Sequence, residues 1–165
     1  MLQAKKVGFW KNRYEITADG RVLATWAPSI WKTGGTFELD GQRYEIRGNM
    51  WGSKYGMVTE DGAAVASADR VGRKRWTVQA GGRVYEFQRA SIWRQEEILH
   101  SEGSQVGSIK RISMWRGDAM ADLPGLPVPV QIFVLAVVLT MWDQQFAAAT
   151  TATAGGAAGA AGASG

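Results

Sequence analysis

The chain has 165 residues, including 21 Gly and eight Trp, only four Pro and no Cys, and its formal net charge is +4. That length suits one domain with a core large enough to need no covalent staples. The lack of Cys excludes disulfides, Cys-ligated zinc and iron–sulfur clusters. It fits a cytosolic setting, as does a first segment, Met1–Val7, without the apolar run of a secretory signal.

Many glycines beside many aromatic and β-branched residues point to a turn-rich β protein. Turn dipeptides recur about every 21 residues, at Asp19-Gly20, Asp40-Gly41, Asp61-Gly62, Gly81-Gly82 and Glu102-Gly103. The first four are of the kind that two-residue hairpin loops favour, because such loops need positive φ at their centre. Alternating segments flank them. Tyr14-Glu15-Ile16 and Val22-Leu23-Ala24 bracket the first turn, Phe37-Glu38-Leu39 and Tyr44-Glu45-Ile46-Arg47 the second. Trp76-Thr77-Val78-Gln79 and Arg83-Val84-Tyr85-Glu86-Phe87 bracket the fourth. Period-two alternation makes one face of each hairpin apolar, and that face must be buried against other hairpins.

A second repeat runs out of phase with the turns. Ser29-Ile30-Trp31-Lys32, Ser91-Ile92-Trp93-Arg94 and Ser113-Met114-Trp115-Arg116 are near copies, and Gly8-Phe9-Trp10-Lys11 and Asn49-Met50-Trp51-Gly52 are weaker ones. Their offset from the turns predicts that these tryptophans lie toward the opposite end of the assembled hairpins. Solenoid, propeller and barrel are the architectures such a repeat can build. A full propeller needs more chain, and closure into a barrel removes exposed edges, so an antiparallel barrel of about 10–12 strands is predicted.

Leu123-Pro124-Gly125-Leu126-Pro127-Val128-Pro129 ends the β region, and Val130–Trp142 is apolar except for Gln131 and Thr140. Prolines at the start suit a helix N-terminus, where their missing N–H is not needed. A helix over about 128–143 is predicted, apolar on all sides and therefore buried either in protein or in lipid. Burial inside the barrel is the expectation, because the segment is short for a membrane span; insertion into a bilayer is the alternative. Residues 147–165 are Ala, Thr, Gly and Ser, with no large side chain to offset the cost of ordering, and are expected to be disordered.

Little in the sequence suggests chemistry. His100 is the only histidine and has no partner at a useful spacing. Glu96 and Glu97 are adjacent, so along a strand they point to opposite faces. No nucleophile-elbow serine and no phosphate-binding glycine loop is present. The expectation is a protein without catalytic residues, cofactor or metal.

The cations are more suggestive. Arg70, Arg73, Lys74 and Arg75 form the densest cluster, and Lys5, Lys6, Lys11 and Arg13 a second. Both read either as solvated surface charge or as a site for an anionic partner. The Trp-basic pairs are equally two-sided. Trp31, Trp93 and Trp115 could plug the barrel mouth around the helix, or sit at a lipid headgroup boundary with their cations at the phosphates. Stacking on single-stranded nucleic acid ranks lower, because acidic residues interrupt a small basic excess. Another protein remains a possible partner on which the sequence is silent.

Repeated hairpins, Trp-basic pairs and the apolar segment from Pro127 to Asp143 together resemble the tubby-like superfamily, which includes tubby domains, phospholipid scramblases and LURP-one-related proteins. The resemblance covers residues 5–146. It implies a barrel of about a dozen strands threaded by a hydrophobic C-terminal helix, and a role in binding lipid at a membrane surface. Arg73, Lys74 and Arg75 are the counterpart it suggests for the basic residues with which tubby domains hold phosphoinositides. The chain departs from scramblases in having no cysteine cluster. Asp118 and Asp122 alone precede the helix, too few oxygens for a calcium loop.

Overall fold

The structure is a computed structural model that describes residues 1–8, 13–29, 32–91, 94–113 and 115–163, with side chains as far as residue 151. Its strands are β1 (Leu2–Val7), β2 (Arg13–Ala18), β3 (Arg21–Pro28), β4 (Gly34–Leu39), β5 (Gln42–Gly48) and β6 (Tyr55–Thr59). They continue as β7 (Ala64–Asp69), β8 (Arg75–Ala80), β9 (Arg83–Arg89), β10 (Glu96–Ser101), β11 (Ser104–Arg111) and β12 (Ala119–Asp122), followed by one helix, α1 (Val128–Ala163). Each strand pairs antiparallel with its neighbours in sequence, and β1 closes on β12 through Leu2↔Ala121, Gln3↔Met120 and Ala4↔Ala119. The result is a closed up-and-down barrel with no free edge, as the hairpin repeat predicts.

The turn chemistry largely follows the sequence. Asp19 and Gly20 have φ of 51° and 76°, Asp40 and Gly41 51° and 76°, Gly81 and Gly82 57° and 76°, and Glu102 and Gly103 50° and 79°. Two successive left-handed residues define the tight turn whose twist matches the flanking strands. Asp61-Gly62 differs. It lies in a longer connection from Thr59 to Ala64, closed by Gly62 N–H donating to the Thr59 carbonyl (2.9 Å) and Thr59 N–H to the Ala63 carbonyl (2.9 Å).

These turns mark one end of the barrel, and the longer connections mark the other. Because β12 runs toward the turn end, Leu123–Pro127 crosses there and starts α1. Leu123 and Leu126 are buried as the plug of that end. Gln131 donates its side-chain amide to the Leu126 carbonyl (2.7 Å), which gives the single amide in the apolar run its partner. The helix then threads the barrel. Ile132–Leu139 is wholly buried, with Val130, Met141 and Trp142 almost so, and Thr140 turns its hydroxyl back onto the Ala136 carbonyl (2.8 Å). Burial of the helix inside the protein is therefore the observed arrangement.

The barrel wall is graded to fit it. The helix backbone comes closest to β4, β7 and β12; β7 and β12 turn Ala66 and Ala68, and Ala119 and Ala121, inward, while β4 buries Phe37 and Leu39. Larger rings line other strands, with Tyr14, Trp26, Trp76 and Phe87 all at most 1% exposed. Trp76 stacks on its cross-strand partner Phe87 at 4.5 Å between ring centroids. Small residues on β7 and β12 give the helix room, and rings on other strands fill space around it.

The helix does not stop near 143. It extends as backbone helix to Ala163, so residues 147–163 of the segment expected to be disordered continue α1, and 164–165 lie outside the described residues. Propagating an established helix avoids the nucleation penalty, and Ala is the best helix former.

Candidate functional site

The end of the barrel from which α1 emerges gathers most of the residues the sequence marked for function. Strands β6 (Tyr55–Thr59) and β8 (Arg75–Ala80) begin there, and the connections 49–54 and 70–74, with residues 112–113 and 115–118, lie around the emerging helix. The 49–54 connection touches it directly, since a β-carbon on Gly52 (φ +67°) would lie 2.5 Å from the Gln144 side-chain oxygen. The 70–74 connection is tied to its neighbour by Val71 N–H donating to the Ser53 carbonyl (3.0 Å).

The basic cluster is held rather than loose. Val71 is buried and pins the connection, while Arg70, Arg73, Lys74 and Arg75 on either side of it are exposed. Arg70 has φ +59°, and its N–H donates to the Asp69 carboxylate (2.8 Å). Arg73 N–H donates to the Arg70 carbonyl (3.1 Å), and Arg89 clasps the connection by donating from Nη2 to the Gly72 carbonyl (2.8 Å). Among the described residues, none of the four cations takes part in an ion pair. Four cations are thus presented on a fixed backbone, with Asp69 the nearest acid in sequence. Arg70 and Arg75 also line an open groove of about 410 Å³ with Thr77, Glu86, Gln88 and His100. That placement brings His100 onto the outer wall.

The tryptophans divide into two sets. Trp26, Trp76 and Trp142 are core residues. Trp51 is 84% exposed and Trp115 is 99% exposed, with Met50, next to Trp51 in the sequence, at 87%. The expectation that the Trp-basic residues plug the mouth fails for Trp115 and for its weaker relative Trp51. The mouth is filled instead by rings on the strands themselves, which reach the helix from rigid positions as loop residues do not. Trp31 and Trp93 lie outside the described residues; in sequence they fall between β3 and β4 and between β9 and β10.

Inside the mouth lies a polar latch that the sequence did not announce. Arg111 on β11 is nearly buried and stacks its guanidinium over Trp142, 4.9 Å from the ring. It donates from Nε to the Gln95 side-chain oxygen (2.9 Å) and from Nη1 to the Gly117 carbonyl. Its Nη2 lies 3.9 Å from Asp143, and Tyr14 donates its hydroxyl to the same carboxylate (3.2 Å). Burial raises the Asp143 pKa, against the pull of Arg111 and Tyr14. Burial and the neighbouring carboxylate push the Tyr14 phenol up to about 12. The latch fixes where the helix leaves the barrel. Arg111, Tyr14 and Asp143 are more than a hundred residues apart in part of this set, so no local spacing could have joined them.

Glu96 and Glu97 face opposite ways, as their alternation on β10 requires. Glu96 pairs with Lys110 (3.5 Å), whereas Glu97 is 2% exposed and accepts from Trp76 Nε1 (3.1 Å). Burial raises the Glu97 pKa, partly offset by that hydrogen bond and by Arg89.

No protein-family model matches the chain, and no curated protein or solved structure is similar enough to count as a match.

Proposed function

We propose that this protein is a non-enzymatic, tubby-like barrel that attaches to anionic membrane surfaces in the cytoplasm through the mouth from which α1 emerges. The observation that carries the reading is the joint exposure, at one end of the barrel, of Trp51, Trp115 and the pinned cations Arg73, Lys74 and Arg75. Tryptophan favours the boundary between water and hydrocarbon, with its ring in the apolar layer. Cations beside it meet lipid phosphates, each worth about 1 kcal/mol near an anionic surface. Twelve antiparallel strands around a C-terminal apolar helix support the family comparison at the level of architecture.

Co-sedimentation with neutral and anionic liposomes tests the reading. The folded chain should pellet with anionic vesicles and not with neutral ones. Charge reversal at Arg73, Lys74 and Arg75 should weaken that binding on the order of 100-fold or more, from about 1 kcal/mol per cation and tenfold per 1.4 kcal/mol. Equal binding by the triple variant would remove the patch, and no pelleting by a folded wild-type chain would redirect the search to a protein partner.

A further inference from the structure

We infer that the part of α1 outside the barrel, from Gln144 onward, enters the bilayer against which the mouth docks. The barrel then solvates the first half of one helix and lipid the second. The inference rests on the surface reading above and adds to it the mode of attachment.

The helix is continuous from Val128 to Ala163, and its buried part ends at Trp142, with side chains exposed from Gln144 through Thr151. Trp142 is buried and Asp143 half-buried, while every residue from Gln144 to Thr151 is exposed, Phe146 at 74%. From Gln144 to Ala163 the helix measures about 30 Å at 1.5 Å per residue, close to the thickness of a bilayer's hydrocarbon core. After Asp143 the sequence contains no charged side chain. Thr150 and Thr151 donate their hydroxyls to the carbonyls of Phe146 and Ala147, both at 3.0 Å. Hydroxyls bonded back to the helix carry no unmatched donor into an apolar phase.

In water this segment is helical only by propagation from the buried part and by its alanines, with little burial to hold it. Its side chains are exposed from Gln144 to Thr151, and Gly155, Gly156, Gly159 and Gly162 each weaken a helix relative to Ala. Hydrocarbon reverses the balance, because an unpaired backbone amide is far more costly there than in water. The surroundings of the exit fit the same boundary. Met50, Trp51, Trp115 and Phe146 are exposed apolar groups, and Arg73 and Lys74 are the cations a headgroup layer attracts. Charge and apolarity at one mouth match an anionic bilayer better than a second copy of this chain, which would bring the same cations together.

The test uses the full chain with Ala148→Cys carrying an environment-sensitive fluorophore, a clean label because the sequence has no other cysteine. Vesicles are phosphatidylcholine with about one-third phosphatidylserine, an anionic surface of the kind that attracts basic segments. Insertion predicts a blue shift, quenching by nitroxides on the acyl chains, and retention through a wash at about 1 M salt, where surface electrostatics are screened. Ala148→Asp combined with Thr151→Asp, at exposed positions the barrel does not need, should bind at low salt and lose about tenfold or more of its retention in the wash. A water-like emission from bound protein that the wash releases would overturn insertion and leave the surface reading standing. A concentration-dependent shift without vesicles would overturn it in favour of contact between copies. Failure to bind at any salt would sink both.

Discussion

Glu97 is the residue at which burial and ionisation conflict most directly. Its carboxyl is inside the barrel with one hydrogen-bond donor, Trp76 Nε1, and its folded pKa is raised. A carboxyl whose folded pKa exceeds its unfolded value binds more proton in the native state, so stability falls as pH rises from the ordinary Glu pKa through the raised one. Above that window the penalty is constant. Asp143 acts in the same direction. Glu97→Gln keeps an oxygen for Trp76 and removes the charge. It should raise the melting temperature at pH 7, with the gain disappearing near pH 4 where both forms are neutral. Melting curves followed by circular dichroism across pH check this, and a variant less stable at pH 7 would show that the ionised form is needed.

At the scale of elements, α1 and the barrel wall depend on each other. A helix apolar on every side cannot stand alone in water, and a barrel of this width cannot stand empty. Val134 and Val138 are fully buried against the wall. Changing either to Asp places an unpaired charge in the core, where removal of a partner alone costs about 3–5 kcal/mol. Such a loss is a large share of the stability of a domain this size, so the variant should be unfolded or insoluble. A soluble variant with native circular dichroism would contradict the packing described. The grading of the wall was hidden from the sequence. Ala66, Ala68, Ala119 and Ala121 read there as ordinary small strand residues, and only their position beside the helix gives them a purpose.

At the scale of the whole molecule, fold stability and membrane attachment reside in different parts of one helix. Deleting residues 147–165 removes side chains that, through Thr151, touch no core. In lipid-free buffer that deletion should change stability by no more than about 0.5 kcal/mol, the range of surface changes. Denaturant titration of the two chains reads it directly, and a larger loss would mean that the tail packs on the barrel.

The sequence by itself determined the hairpins, the closed barrel, the apolar helix starting at Val128 and the cationic connection at Arg70–Arg75. All of these rest on local signals: turn residues that accept positive φ, period-two alternation, an unbroken apolar run and adjacent charges. Tertiary structure alone decided that Trp51 and Trp115 are exposed, for the repeat they belong to was equally compatible with rings that plug the mouth. It also decided the latch of Tyr14, Arg111 and Asp143 and the exit of α1 among the cations. Those contacts join residues that only barrel closure brings together, and no spacing along the chain encodes which strand end will face which turn of the helix.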